Sequence, residues 1–98
     1  MPRKKVAVIG VGRLGAIHAR IYKQLSSAQL VAVCDINKER ALSIARTLGV
    51  KACFAYRELF AKVEAVSIAV PTSLHCKVAC DFLRAGIDVL LEKPIARP

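Results

Sequence analysis

The stretch VAVIGVGRLG, residues 6–15, decides the fold of this chain. It is a short apolar run that ends in Gly-x-Gly-x-x-Gly and leads directly into a helical pattern. Asp35 closes a second apolar run 20 residues beyond Gly15. Glycines between a strand and a helix, with an acidic residue at this distance, are the fingerprint of a dinucleotide-binding unit, whereas a glycine triplet alone is weak evidence.

Each glycine has its own steric role in that fingerprint. Gly10 allows the tight turn, Gly12 lets the backbone approach a pyrophosphate, and Gly15 lets the helix pack closely on the strand. The first N–H groups of the helix then face the phosphates with their partial positive charge. Arg13 and Leu14 complete this cofactor-binding loop, where Arg13 either contacts the pyrophosphate or is only solvated.

The rest of the chain alternates between strand-like apolar runs and amphipathic helical patterns, without internal repeats. The strands are expected over about residues 5–9, 30–35, 51–54, 65–70 and 88–92. Several of these runs lack polar alternation, which is typical of parallel strands buried on both faces. The sequence therefore predicts an α/β fold, a doubly wound parallel Rossmann sheet in the order 3-2-1-4-5, with a ligand crevice at the carboxyl ends.

The helical patterns predict which side chains share an apolar face. In the first helix this face consists of Leu14, Ile17, Ile21 and Leu25. In the last helix the inward residues are Val78, Ala79, Phe82 and Leu83. Thr72 or Ser73 is expected to cap that helix, Asn37 to cap the second one, and Gly49 to end it. A short third helix is expected to bear Tyr56, Leu59, Phe60 and Val63 on its apolar face.

Composition narrows the class of protein. The 98 residues are 55% hydrophobic and 23% charged, which suits one small domain with a core. Net charge is +9, but the basic residues are spread along the chain without interleaved aromatic residues. We therefore expect a solvated basic exterior that attracts an anionic cofactor, and no nucleic acid partner. No run approaches the roughly 20 apolar residues of a membrane span, and the glycines interrupt any signal-like start, so a cytoplasmic location is expected.

Four cysteines raise the question of a disulfide or a metal. Cys34 and Cys53 lie in expected strands, and Cys76 and Cys80 are one helical turn apart beside His75. The His-Cys-x-x-x-Cys cluster could hold a soft metal. Adjacent helical residues point about 100° apart, however, so we expect no metal site and reduced, mostly buried thiols.

Three motifs together resemble the amino-terminal domain of the glucose–fructose oxidoreductase / inositol dehydrogenase (Gfo/Idh/MocA) family. They are VIGVGRLG at residues 8–15, AVPTSLH at residues 69–75 and VLLEKPIA at residues 89–96. The resemblance covers essentially the whole chain. It implies an NAD- or NADP-dependent dehydrogenase of sugars, cyclitols or related alcohols, with the cofactor in the Rossmann half and the substrate in a second α/β domain.

The cofactor-binding residues are expected at the strand ends. Asp35 would accept hydrogen bonds from the adenosine ribose hydroxyls, which favours NAD because a 2′-phosphate would be repelled. Lys38 and Arg40 could partly offset that repulsion, so NADP stays possible. The further contacts expected at these ends are Ile36, Val70, Pro71 and Thr72.

The resemblance also implies catalytic residues. Lys93 would sit near the nicotinamide and the substrate, suited to proton relay with a substrate hydroxyl. Glu92 either orients Lys93 or forms a surface ion pair, and Pro94 fixes the loop. His75 either faces the nicotinamide ribose or the substrate, or packs in the core.

Residues 1–98 are thus expected to form a dinucleotide-binding domain that stops before the sixth strand, with the substrate domain absent. Such a domain would be inactive alone, and a small-molecule substrate would bind only with the second domain. A non-catalytic NAD-binding regulator or sensor is the alternative; a different Rossmann enzyme such as a methyltransferase has no need for Glu-Lys-Pro. We also expect weak self-association through the apolar edge at residues 89–91.

Overall fold

The computed structural model describes residues 3–70 and 72–90. Within them, five parallel strands form one sheet in the order β3-β2-β1-β4-β5, so the predicted doubly wound topology is confirmed. The strands are β1 (Lys4–Ile9), β2 (Ala28–Cys34), β3 (Lys51–Cys53), β4 (Ala65–Ile68) and β5 (Asp88–Leu90). The α-helices are α1 (Arg13–Gln24), α2 (Lys38–Leu48) and α3 (Thr72–Arg84).

Strand β1 lies at the centre and separates two layers of core. Val8 is in register with Val33 of β2 on one side and with Ser67 of β4 on the other. Ala7 and Ile9 pack with Phe82 of α3 on one face of the sheet. The alternate β1 residues, Val6 and Val8, pack on the opposite face with Ala19 of α1 and Ala45 of α2. Burial on both faces explains why the strand sequences show no polar alternation.

The helix α1 contacts the sheet through small residues, which corrects the predicted stripe. Its buried residues are Gly15 and Ala19. The predicted apolar face is between 42% and 48% exposed at Leu14, Ile17, Ile21 and Leu25. A Cβ atom at Gly15 would lie 1.7 Å from the Gly10 carbonyl oxygen. Because the helix approaches the strand this closely, larger side chains lie beside the contact rather than in it.

The remaining helix predictions are partly confirmed. Asn37 Oδ1 accepts a hydrogen bond from the Arg40 N–H at 3.1 Å, and Gly49 ends α2 with a left-handed φ of 70°. In α3, Val78 and Phe82 are buried and Ala79 is partly buried, but Leu83 is 59% exposed because it lies at the border of the apolar face. The helix already includes Thr72 and Ser73, so neither precedes it as a cap.

The segment between β3 and β4 is a single 3-10 turn, Tyr56–Leu59, rather than a longer helix. It still packs as the stripe predicts: Leu59 and Val63 are buried, and Tyr56 and Phe60 are packed against the same cluster. After Leu59 the chain makes a turn and enters β4 at Ala65.

The thiols divide into two pairs. Cys34 and Cys53 are buried neighbours in register on β2 and β3. Cys76 and Cys80 are exposed, so the expectation of mostly buried thiols is wrong for α3, whose inward face is formed by Val78 and Phe82 instead. All four thiols are free, and among residues 3–70 and 72–90 no three side chains are grouped to hold a metal ion.

Two further findings concern a membrane and a second copy of the chain. No helix in the described part of the chain is long and apolar enough to cross a membrane. The strand β5 forms one end of the described sheet. Its pairing with a second copy of the chain stays a prediction.

Candidate cofactor site

A cavity of about 820 Å³ opens at the carboxyl ends of the strands. Its walls come from the glycine loop, the end of β2, the turn after β3, the end of β4 and the start of α3. The lining residues include Gly10, Gly12, Asp35, Ile36, Asn37, Arg40, Phe54, Ala55, Tyr56, Arg57, Val70, Leu74 and Val78. The crevice therefore lies where the doubly wound topology predicts it.

Packing inside the protein explains two of the three glycines of the loop. Gly10 has a φ of 89°, and a Cβ atom there would lie 2.9 Å from the Ala69 carbonyl oxygen. Gly15 has no room for a Cβ either, because of the contact with Gly10 described above. These two positions fix the tight turn and the close approach of α1.

Gly12 differs, because the described residues leave room for a Cβ atom there. Its φ is −67°, and the nearest atom to an added Cβ would be Arg40 Nη1 at 3.5 Å. Gly12 is also the N-cap of α1, without a side-chain cap and without an acidic residue in the first helical turn. The space above Gly12 therefore belongs to the cavity, next to uncapped helix N–H groups, as a pyrophosphate site requires.

Asp35 connects the glycine loop to the start of α2. Its Oδ2 accepts a hydrogen bond from the Val11 N–H at 2.9 Å, and its Oδ1 accepts one from the Asn37 N–H at 2.9 Å. Arg40 Nη1 lies 3.6 Å from Oδ2, and the Asp35 side chain is only 9% exposed. Asp35 thus caps a turn, and because a carboxylate accepts about four hydrogen bonds, it keeps capacity for ribose hydroxyls.

An apolar end of the cavity lies beyond Asp35. The Ile36 side chain is 86% exposed, which is unusual for isoleucine and leaves it free to contact a flat apolar ligand. Phe54 and Leu74 line the same cavity. The ring of Phe54 also has the Lys38 ammonium 5.6 Å from its centroid. This end of the cavity suits an adenine ring.

The turn after β3 is the wall that sequence reasoning missed. Residues 54–57, called here the β3 turn, all line the cavity, as do Leu74 and Val78 of α3. The signal was available, because the carboxyl end of every parallel strand faces the crevice. Sequence-based prediction named residues at the ends of the other strands but not at the end of the short β3.

Hydrogen bonds from two directions hold the β3 turn. The Cys53 thiol has one hydrogen, which it shares between the Ala55 carbonyl oxygen at 3.4 Å and Glu58 Oε1 at 3.2 Å. On the α3 side, the Tyr56 hydroxyl donates to Asp81 Oδ2. That bond raises the pKa of Tyr56 and lowers the pKa of Asp81, since it favours the phenol and the carboxylate forms. Burial raises the pKa of the Cys34 thiol beside this wall.

The predicted cofactor residues have different positions relative to the cavity. Gly10, Gly12, Asp35, Ile36 and Val70 line it. Arg13 and Leu14 are exposed at the start of α1, and Gly15 is buried beneath the loop. His75 is partly buried in the first turn of α3, where Thr72 is the first helical residue. The predictions for Pro71, Glu92, Lys93 and Pro94 lie outside the described residues.

Residues 4–98 match the family described as "Oxidoreductase family, NAD-binding Rossmann fold", named GFO_IDH_MocA. The chain belongs to this family. The predicted family membership and the predicted nicotinamide-dinucleotide cofactor are thereby confirmed at the level of the domain.

Curated relatives of the chain are dehydrogenases. The chain is 45% identical over 94 residues to UDP-N-acetylglucosamine 3-dehydrogenase of Acidithiobacillus ferrooxidans, a match that covers 96% of this chain and 29% of that protein. It is 39% identical to inositol 2-dehydrogenase of Renibacterium salmoninarum, with coverage of 92% and 28%. The chain therefore spans less than a third of the length of these relatives.

Solved structures of relatives share the fold. The structure of the Acidithiobacillus ferrooxidans enzyme GnnA superposes with a TM-score of 0.88 at 42% identity, covering 99% of this chain and 32% of that chain. Scyllo-inositol dehydrogenase from Lactobacillus casei, solved with bound NAD(H) and scyllo-inositol, gives a TM-score of 0.86 at 29% identity, with coverage of 99% and 30%. The parallel sheet and its helices are thus those of the dehydrogenase domain.

Proposed function

We propose that this chain binds NAD(H) in the described cavity and serves as the cofactor domain of an oxidoreductase that acts on a CH–OH group of a sugar or cyclitol. The observation that carries the proposal is Gly12. The described residues leave room for a Cβ atom there, whereas a pyrophosphate lying against the N-terminus of α1 would not. The relatives named above are dehydrogenases, so they give no support to a non-catalytic regulator.

Each part of the cofactor has a matching group in the cavity. The pyrophosphate would lie over Gly12 and the uncapped N–H groups of α1, with Arg13 at the same helix end. The hydroxyls of the adenosine ribose would donate hydrogen bonds to Asp35, and the adenine would pack against Ile36. The nicotinamide end would lie toward Val70 at the end of β4.

NAD supplies the nicotinamide ring, which accepts or donates a hydride. The part of the chain that the structure describes contributes binding and orientation, because it holds the two ends of the dinucleotide at fixed strand ends. We propose Lys93 as the catalytic residue, Glu92 as the group that orients it, and Pro94 as the residue that fixes their loop. Substrate contacts would come from sequence beyond the matched third of the relatives, so these residues alone would not turn over substrate. A cytoplasmic location stays a prediction from composition.

Asp35 sets the preference between the two nicotinamide cofactors in this proposal. Its carboxylate repels a 2′-phosphate, although Arg40 at 3.6 Å reduces that repulsion. We expect tighter binding of NAD than of NADP in titration calorimetry. Asp35→Ser should narrow the difference by about 1.5–3 kcal/mol, the range for a hydrogen bond to a charged group.

The matched control is Asp88→Ser. It removes an equal charge from β5, where Asp88 forms an exposed ion pair with Lys4 and does not line the cavity. It should leave the preference unchanged. Equal affinities in the unmodified chain, or a reversed preference, would contradict the role given to Asp35.

A further inference from the structure

We propose that Asp81 is a positioning residue for the adenine end of the cofactor, because it fastens the β3 turn to α3 and so shapes one wall of the cavity. This inference rests on the proposed function. Asp81 itself is not part of the cavity lining, whereas all four residues of the β3 turn are. Asp81 would therefore act on the cofactor indirectly, through the position of that turn.

Two consecutive residues of the β3 turn bind the same carboxylate. The Tyr56 hydroxyl donates to Asp81 Oδ2, and Arg57 Nη2 lies 3.3 Å from that oxygen. The Arg57 guanidinium carbon lies 5.8 Å from the centroid of the Tyr56 ring, so the two side chains are also stacked on each other. One carboxylate on α3 thus sets the direction of both side chains.

Packing and hydrogen bonding have separate roles at Tyr56. The ring lies 5.4 Å from the ring of Phe82 and 6.3 Å from that of Phe60, measured between centroids. These contacts hold the ring in the core without the hydroxyl. The hydroxyl fixes the orientation of the turn, because its hydrogen bond to Asp81 forms only when the turn faces α3. Removal of the hydroxyl alone therefore tests the orientation without emptying the core.

The charge around Asp81 favours a permanent contact. Its side chain is 10% exposed, and Lys77 Nζ and Arg84 Nη1 lie 3.4 Å and 4.0 Å from its carboxylate oxygens. With Arg57, three cations surround one carboxylate. Without Asp81, these cations would repel one another and Arg57 would lose its anchor beside the cavity. Beside the ring packing of Tyr56, the hydrogen bonds left to the turn among the described residues would be those from the Cys53 thiol and the backbone.

The test measures the affinities of NAD, ADP-ribose and nicotinamide mononucleotide by calorimetry in four variants: Asp81→Ala, Asp81→Asn, Tyr56→Phe and the Asp81→Ala/Tyr56→Phe pair. We expect Asp81→Ala to weaken the binding of NAD and ADP-ribose by about three- to tenfold and to leave the affinity for nicotinamide mononucleotide unchanged. Asp81→Asn keeps an acceptor for the Tyr56 hydroxyl and should restore part of the loss. Tyr56→Phe should weaken the binding of the same two ligands. The double variant should bind them about as weakly as Asp81→Ala alone, because both substitutions remove the same hydrogen bond.

The control is Asp88→Ala, which removes the same charge from the exposed pair with Lys4 and so corrects for general attraction of an anionic ligand. Amide hydrogen exchange without ligand should become faster at residues 54–57 in Asp81→Ala. A wild-type chain that binds neither NAD nor ADP-ribose would overturn the proposed function, and the positioning role with it.

If the wild type binds NAD, unchanged ADP-ribose affinity in Asp81→Ala and Tyr56→Phe would overturn the positioning role alone. Equal weakening of all three ligands would also overturn it, since that result means general loss of structure. Should Asp81→Ala fail to fold, Tyr56→Phe decides the question, because its ring packing is preserved.

Discussion

Gly12 and Gly15 belong to one motif, yet the protein needs them for different reasons. A Cβ atom at Gly15 would overlap the Gly10 carbonyl oxygen at 1.7 Å, whereas a Cβ at Gly12 would have Arg40 Nη1, at 3.5 Å, as its nearest neighbour among residues 3–70 and 72–90. Gly15 is therefore required by the fold. Gly12 instead leaves space that a ligand can occupy.

Alanine at these two positions should separate folding from binding. We expect Gly15→Ala to lower the free energy of unfolding by more than about 3 kcal/mol, because backbone must move to admit the methyl group. Gly12→Ala should change that free energy by less than about 1 kcal/mol, the size of an N-cap effect. It should nevertheless weaken NAD binding by about tenfold or more, ~1.4 kcal/mol. Urea unfolding and calorimetry measure the two quantities, and a Gly12→Ala chain with normal NAD affinity would refute the assignment.

Asp35 shows how far residue-level prediction reaches. Its distance from the glycine motif and its place at a strand end were enough to single it out. Its hydrogen bond to the Val11 N–H could not be predicted, because that bond joins two loops whose separation depends on how α1 packs on the sheet. The turn cap that the structure shows and the ribose acceptor that the sequence predicts are both compatible with the geometry observed.

At the scale of the element, α1 shows where hydrophobic periodicity misleads. The spacing of Leu14, Ile17 and Ile21 defines an apolar face, and that face exists, but it is half exposed. The contact with the sheet is made by Gly15 and Ala19. Periodicity reports which residues share a face, whereas the closeness of a helix to a strand decides which face fits. The sequence carried that information in Gly15.

Substitutions on the two faces of α1 should therefore have unequal effects. We expect Ala19→Leu to destabilise the fold by about 1–3 kcal/mol, because Ala19 is fully buried against the sheet and extra methylene groups overpack it. Ile21→Gln, on the half-exposed face, should change stability by less than about 1 kcal/mol. Thermal unfolding compares the variants. A larger loss for Ile21→Gln would mean that the exposed face is covered in solution.

For the whole molecule, the strand order was predictable and the anchoring of the cavity was not. Right-handed crossovers between parallel strands leave few arrangements for five alternating units, so 3-2-1-4-5 followed from the pattern. The Tyr56–Asp81 bond joins the segment after β3 to α3 across the fold. Neither residue stands in a recognisable motif, so only the packed structure brings them together.

Acid should destabilise the molecule through Asp81. Its pKa is held below the ordinary value of 3.8, first by the Tyr56 hydrogen bond and then by Lys77 and Arg57. A carboxyl group whose pKa is lower in the folded state contributes stability above 3.8 that is lost as the pH falls through the folded value. The melting temperature should therefore fall as the pH drops from about 5 toward 2, less steeply for Asp81→Asn.

A reference variant is needed because the chain, already at +9 at pH 7, gains further positive charge in acid, and Asp81→Asn adds one unit at pH 7. Asp88→Asn serves as the charge-matched reference, since it interrupts the exposed pair with Lys4. Parallel melting curves for the wild type and Asp81→Asn across this range would show that Asp81 does not contribute.

The central place of β1 has a consequence for how the chain is made. A ribosome releases β1, β2 and β3 first, so one side of β1 can pair early, while Val6 must wait for Ala65 on the other side. Pairings this distant along the chain form slowly. The cavity is also completed late, because Asp35 leaves the ribosome before Val70 and Leu74, which line the same cavity. Any ligand held by both halves therefore stabilises the later pairing of β1, the one with β4, and we expect it to bind once that pairing has formed.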